Sequence, residues 1–135
     1  MSTWEDVVVG ETLEPLTVLI TLQRLVMEAG VNRDFSPWHF DPVAAHDSGA
    51  QDVFANTTFV ETLLEAGIRS WAGLAARIRV LEFALRAPNC IGDDVSVTGV
   101  VTAKHADGPD RTVHVDVWLE SHRGRTVEGS AVVAF

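Results

Sequence analysis

Apolar positions along the chain change period twice, and the changes divide it into elements. Residues 13–20 (LEPLTVLI) read as a first strand, with Thr21 placed to cap a following helix. That helix carries Leu22, Leu25, Val26 and Ala29 on one face, and Gly30 is expected to end it. Residues 31–52 are rich in Asn, Asp, Pro, Ser and Gly and show no period, which predicts a long ordered loop of the kind that often carries function. From Asn56 to Trp71 the helical spacing returns in the pairs Phe59/Val60, Leu63/Leu64 and Gly67/Ile68, and Gly73 closes it.

Beyond Gly73 the period is two. Ile78 and Val80 alternate with Arg77 and Arg79, and then Phe83 and Leu85 take the inward phase, so a bulge is expected near Leu81–Glu82. Val95, Val97, Gly99, Val101 and Ala103 face one way, with Asp94, Ser96, Thr98 and Lys104 opposite them. Turn chemistry at Asp107-Gly108-Pro109-Asp110 leads to a strand with Val113, Val115, Val117 and Leu119 on one face and His114, Asp116, Trp118 and Glu120 on the other. A second turn at Arg123-Gly124 opens the strand through Val127, Gly129, Ala131, Val133 and Phe135. Long strands joined by short turns form an antiparallel meander with one apolar face to cover. Only the 56–71 helix is long and apolar enough to cover it. The fold class is therefore α+β, an antiparallel sheet wrapped around one long central helix, which is the hot-dog architecture. With no repeat or linker, residues 1–135 read as a single domain.

Composition narrows the function classes. A chain of 135 residues can bury roughly two-thirds of its unfolded surface, so neither a metal nor a disulfide is needed for stability. The single cysteine, Cys90, has no partner and reads as an ordinary thiol in a turn beside Pro88 and Gly92. A net charge of −9 disfavours nucleic acid and anionic membranes as partners. No apolar run is long enough to span a bilayer and no secretory pattern opens the chain, so a cytoplasmic location is the default expectation. Local basic groups, Arg77/Arg79/Arg86 and Arg123/Arg125, leave room for a phosphorylated ligand.

The sharpest chemical feature is Asp34-Phe35-Ser36-Pro37-Trp38-His39-Phe40-Asp41. Adding water to an activated double bond needs one group to take a proton from water and one to deliver a proton to the neighbouring carbon. A carboxylate and an imidazole five residues apart, separated by a proline and flanked by the solvent-excluding aromatics Phe35, Trp38 and Phe40, suit both tasks. The same residues also fit a turn cap at Asp34 and a packed core histidine at His39, and residue types alone leave both readings open.

Asp34-x-Ser36-Pro37-x-His39-x-Asp41 resembles the D-x-N-P-x-H motif of the MaoC-like, R-specific enoyl-CoA hydratases, with Ser36 where that family usually has asparagine. The resemblance runs from Val9-Gly10-Glu11 to the last strand. It implies the hot-dog fold, Asp34 and His39 as the catalytic pair, and a backbone N–H at the start of the central helix as oxyanion hole. That position, often glycine in the family, matches Asn56 here, which is equally suited to capping the helix. Arg33-Asp34-Phe35, Gly49, Asp52-Val53-Phe54-Ala55-Asn56 and Trp71-Ala72-Gly73 are similar to the small MaoC-type subunit of actinobacterial steroid side-chain hydratases. The resemblance thus implies an acyl-CoA thioester substrate, no cofactor other than the CoA that the substrate carries, and assembly as a homodimer or with a second MaoC-like hot-dog subunit. Free sheet edges lead to the same expectation of an edge-to-edge oligomer.

Other candidates are weaker. His39 and His46 with Asp41 and Asp47 match no metal-ligand spacing, and no metal is expected. His105, His114 and His122 read as surface residues. Glu61 and Glu65 share a face of the central helix, where hot-dog thioesterases often place a catalytic carboxylate. An acyl-CoA thioesterase and a non-catalytic hot-dog subunit are therefore the two rival readings.

Overall fold

The computed structural model describes residues 3–106 and 110–135. In chain order the elements are β1 (Leu16–Leu19), α1 (Leu22–Asn32), a 3-10 turn (Pro37–His39), α2 (Pro42–Asp47), α3 (Thr57–Ala72), β2 (Arg77–Leu85), β3 (Asp94–His105), β4 (Thr112–Ser121) and β5 (Gly124–Ala134). The strands form a five-stranded sheet in the order β1-β3-β4-β5-β2, and every described pairing is antiparallel.

The central helix forms where the period placed it. Asn56 caps it by accepting from Phe59 N–H at 2.8 Å, and Gly73, at φ 92°, lets the chain leave it. Phe59, Val60, Leu63, Leu64 and Ile68 are buried against Val97, Val117, Leu119 and Val133 of the sheet. Each such side chain, fully buried, stabilises the fold by roughly 1.5–3 kcal/mol. Gly67 sets the distance between helix and sheet, because a Cβ there would meet Val97 Cβ at 2.9 Å. A second cluster, Val7, Leu13, Val101, Val113 and Val115, closes the other end of the sheet under Trp4 and Phe135. The sheet curls around α3 in the hot-dog manner.

Several local expectations change. Helix α1 does not stop at Gly30. It runs to Asn32 and closes on Arg33, whose φ of 55° is left-handed. Arg33 N–H then reaches Gly30 O, and Asp34 N–H reaches Ala29 O at 2.9 Å. Only Leu25 and Ala29 of its expected apolar face are buried, while Leu22 and Val26 stay nearly half exposed. The segment 31–52 is not one irregular loop, since it holds the 3-10 turn and α2.

In β2 the bulge falls between Ile78 and Val80 rather than near Leu81–Glu82. Arg79 is the extra residue, so Ile78, Leu81 and Phe83 pack against the core and Val80 turns outward, while Leu85 keeps the inward phase at the open end of the strand, beside Val60. A second bulge lies between Val101 and Ala103. It exchanges the expected sides of Ala103 and Lys104, and Lys104 now sits 4.2 Å from the Trp4 ring centre. The expected turn at Asp107-Gly108-Pro109 lies outside the described residues. Among the described residues no helix is long and apolar enough to cross a membrane.

Candidate active site

The closure of α1 is what aims Asp34. Its backbone N–H is fixed to Ala29 O, immediately after a non-glycine residue held in the left-handed region, a conformation that costs on the order of 1 kcal/mol or more. From there the carboxylate folds back over its own loop. Oδ1 accepts from Ser36 N–H at 3.2 Å, and Oδ2 accepts from the Asn56 side-chain amide at 3.1 Å. Pro37 starts the 3-10 turn that carries His39 inward until the residue is only 7% exposed. His39 Nε2 lies 3.5 Å from Asp34 Oδ2. The five-residue spacing therefore does converge on one point, at the N-terminus of α3.

His39 is held from behind. Its Nδ1 lies 2.7 Å from the carbonyl oxygen of Phe54. A carbonyl can only accept, so Nδ1 carries the hydrogen, and in the neutral form of the ring Nε2 is the bare nitrogen facing Asp34. The Phe54 ring meets the imidazole edge-on, with centroids 5.2 Å apart, and Phe54 N–H reaches back to Trp38 O. Residue 54 thus braces the turn from both sides. Sequence reasoning missed this role because a backbone carbonyl leaves no residue-type signal.

Asn56 has more than the expected role. Its side-chain oxygen caps α3, accepting from Phe59 N–H and the Thr58 hydroxyl, while its nitrogen binds Asp34. Its backbone N–H, in a residue 5% exposed, donates to none of the described residues. It lies at the positive end of a sixteen-residue helix. At Ser36 the backbone N–H, rather than the hydroxyl, makes the contact with Asp34. Asp41, the last motif residue, caps α2 by accepting from Val43 N–H at 2.9 Å.

The aromatics do not seal the site within this chain. Phe35, Trp38 and Phe40 are 71%, 47% and 42% exposed. A cleft of about 260 Å³ opens on the other side of Phe54, walled by Ala55, Val60, Leu85, Ala87 and Pro88. A larger depression of about 630 Å³ lies on the face of the sheet turned away from α3, lined by Glu82, Asp116 and Glu128. Arg125 stands among these carboxylates, and neither Asp34 nor His39 lines the depression.

The remaining candidates are placed elsewhere. Glu65 pairs with Arg69 at 2.8 Å. Glu61 is exposed beside it in a groove between α3 and β2. His46 Nε2 binds Gln51 O, and among the described residues no group of three or more His, Cys, Asp or Glu side chains could hold a metal. His105 and His114 pack against each other at 4.8 Å, and exposed His122 sits 3.7 Å from Asp93. Cys90 is buried, and burial raises its thiol pKa above the usual range.

The 3-oxo-4,17-pregnadiene-20-carboxyl-CoA hydratase beta subunit of Mycobacterium tuberculosis is 32% identical over 96 residues, covering 71% of this chain and 74% of the relative. The crystal structure of the ChsH1-ChsH2 complex from Mycobacterium tuberculosis superposes with a TM-score of 0.86 at 29% identity, over 95% of this chain and 98% of the matched chain. The MaoC-like dehydratase from Rhodospirillum rubrum gives 0.81 at 22% identity, over 97% and 94% of the two chains, and at that identity speaks for the fold alone. No family model matches the sequence. With its hot-dog fold and this level of identity to a hydratase subunit, the chain belongs to the MaoC-like hydratase family.

Proposed function

We propose that the chain is a catalytic hydratase subunit that adds water to a trans-2-enoyl-CoA. The observation that carries this reading is the Asp34–His39 pair, 3.5 Å apart, with Nδ1 of the imidazole committed to Phe54. Both groups then present acceptors to a single point. A water donating to both turns a lone pair toward the β-carbon of a bound enoyl thioester. As the carbon–oxygen bond forms, His39 Nε2 takes the water proton and the π electrons move toward the thioester oxygen. The pair then returns the proton to the α-carbon on the same face, so water adds syn and the catalyst is regenerated. The Asn56 N–H at the head of α3 is suited to hold the developing enolate oxygen. The CoA moiety belongs to the substrate, and the residues supply the proton transfers without a further cofactor. Family resemblance implies an R-configured 3-hydroxyacyl product.

The finer reading is a bulky, ring-bearing acyl group and a second hot-dog subunit. Three observations support it. The relative at 32% identity is the beta subunit of a 3-oxo-4,17-pregnadiene-20-carboxyl-CoA hydratase, and the matched crystal structure is the ChsH1-ChsH2 complex. The exposed aromatics around the motif also leave an apolar surface for a large acyl group or a partner to cover. The thioesterase reading loses ground because Glu65 is engaged with Arg69 and Glu61 is exposed.

The test is purified protein, with and without the candidate partner, against a panel of enoyl-CoAs, followed by loss of the conjugated thioester absorbance. Hydration is expected. Release of free CoA from a saturated acyl-CoA, with no hydration of any enoyl-CoA, would overturn the assignment.

A further inference from the structure

Away from the catalytic pair, a buried carboxylate is held by an arginine that also reaches the loop bracing His39. Asp93 is 3% exposed. Its Oδ2 accepts from Cys90 N–H at 2.9 Å and faces Arg123 Nε at 3.3 Å. Its Oδ1 faces Arg123 Nη2 at 3.4 Å. The remaining arm of the same guanidinium, Nη1, donates to the side-chain oxygen of Gln51. Arg123 is therefore a fork with one side on Asp93 and the other on Gln51, a geometry that a planar guanidinium can satisfy and an ammonium cannot.

The two residues it joins end two short segments that run side by side. Ala55 N–H donates to Asn89 O at 2.9 Å and Ile91 N–H to Val53 O at 3.0 Å, with Asp93 N–H closing a turn on Cys90 O. Phe54 and Cys90 are bridge partners between them. The carbonyl that fixes the His39 ring belongs to Phe54, within the first segment.

We propose that Arg123 is a positioning residue for His39: by clamping Asp93 to Gln51 it fixes segments 51–55 and 89–93 against each other, and with them the Phe54 carbonyl. The kinetic consequence rests on the hydratase reading. The structural consequence, a single imidazole tautomer, does not.

The experiment uses the full chain, with any partner its activity requires, and reads the ¹⁵N signals of the His39 ring beside kcat, KM and Tm. Arg123→Met alone strands a buried carboxylate, so the change is also made together with Asp93→Asn. Arg123→Lys keeps the charge but not the fork, and provides a variant expected to fold. In the double variant the ring signals are expected to move from the pure Nδ1–H pattern toward a tautomer mixture, and kcat to fall by up to about 10²-fold with KM little changed. Arg123→Lys is expected to lie between that variant and the native protein. Folded variants with lower Tm but native His39 signals and native kcat would overturn the proposal, since the clamp would then serve stability alone. A shifted tautomer in a protein that hydrates no enoyl-CoA even in native form would sustain the clamp and remove the hydratase reading instead.

Discussion

Nδ1 of His39 donates to the carbonyl of Phe54 at 2.7 Å, and this contact determines which nitrogen faces Asp34. Without that contact the Nε2–H tautomer, which would donate to Asp34, could compete. Fixed in this way, it offers an acceptor beside a carboxylate, which makes the pair suited to orient a water.

Removing either member should stop hydration without unfolding the chain. Asp34 is on a helix closure and about a third of its side chain is exposed, so Asp34→Asn changes little packing. Asp34→Asn and His39→Ala are each expected to lower kcat by about 10²–10⁴-fold, the usual range for a lost proton-transfer partner. Circular dichroism should match the native protein. Near-native turnover in either folded variant would remove that residue from the mechanism.

Capping and positioning can be separated at Asn56, because one end of its amide caps α3 and the other holds Asp34. Serine is a comparable N-cap, whereas alanine costs roughly 1 kcal/mol there. Asn56→Ser should therefore keep Tm near the native value yet lower kcat, by between about 10- and 10²-fold for a misplaced carboxylate. Asn56→Ala should lose both. Steady-state kinetics beside thermal melts will distinguish them, and native kcat in Asn56→Ser would show that the Asp34 contact is dispensable.

What was legible in the sequence is what a local period or motif can carry. Phe59/Val60, Leu63/Leu64 and Gly67/Ile68 repeat over about three turns, so α3 and its burial followed from spacing, and Asn56 ahead of it read as a cap. The meander followed from the valine alternation in β3 and β4. The β2 bulge was legible as a change of phase but not at its position, and the one at Thr102 was not legible. Ile78-Arg79-Val80 alternates as a regular strand would, and only pairing with Val132 and Val133 reveals the extra residue. Helix α1 overran Gly30 because the left-handed closure falls on Arg33, a residue type that does not advertise it. At the site, Asp34 and His39 were visible as a motif. The contacts that hold them come from residues 22 and 15 positions away, through an amide and a main-chain carbonyl, and the Arg123–Asp93 pair spans 30.

Alkaline stability should carry a signature of Cys90. Burial raises its thiol pKa above the 9.0 of a free thiol, so above that pH the unfolded chain releases a proton that the native chain retains. The unfolded state then binds fewer protons, and stability falls as pH rises. The contribution is fully present below about pH 9 and is lost as pH climbs through the native value. The chain has no tyrosine and a single lysine, Lys104, so few other groups titrate there. Melts of Cys90→Ala are expected to show a shallower decline between pH 9 and 10.5 than the native protein. Equal slopes would place the alkaline loss elsewhere.

The substrate reading makes a demand on assembly. A CoA thioester must be gripped at one end while a wide apolar group lies over Trp38, Phe40 and Phe54, and one chain of 135 residues has little surface for both. The cleft beside Phe54, at about 260 Å³, is small and open, and the motif aromatics are left exposed. Strand β2 has β5 on one side and is at the end of the strand order, with Val80 and Leu85 about half exposed. A free edge of this kind is a ready template for a neighbouring chain. Activity on a ring-bearing enoyl-CoA is therefore expected to be low for the chain alone and to rise on co-expression with a second hot-dog subunit. Crotonyl-CoA should be the poorer substrate of the assembled pair. Sedimentation read beside the absorbance assay makes the comparison. A homodimer of this chain that hydrates crotonyl-CoA efficiently and ignores the steroid thioester would end the steroid reading and leave the general hydratase assignment in place.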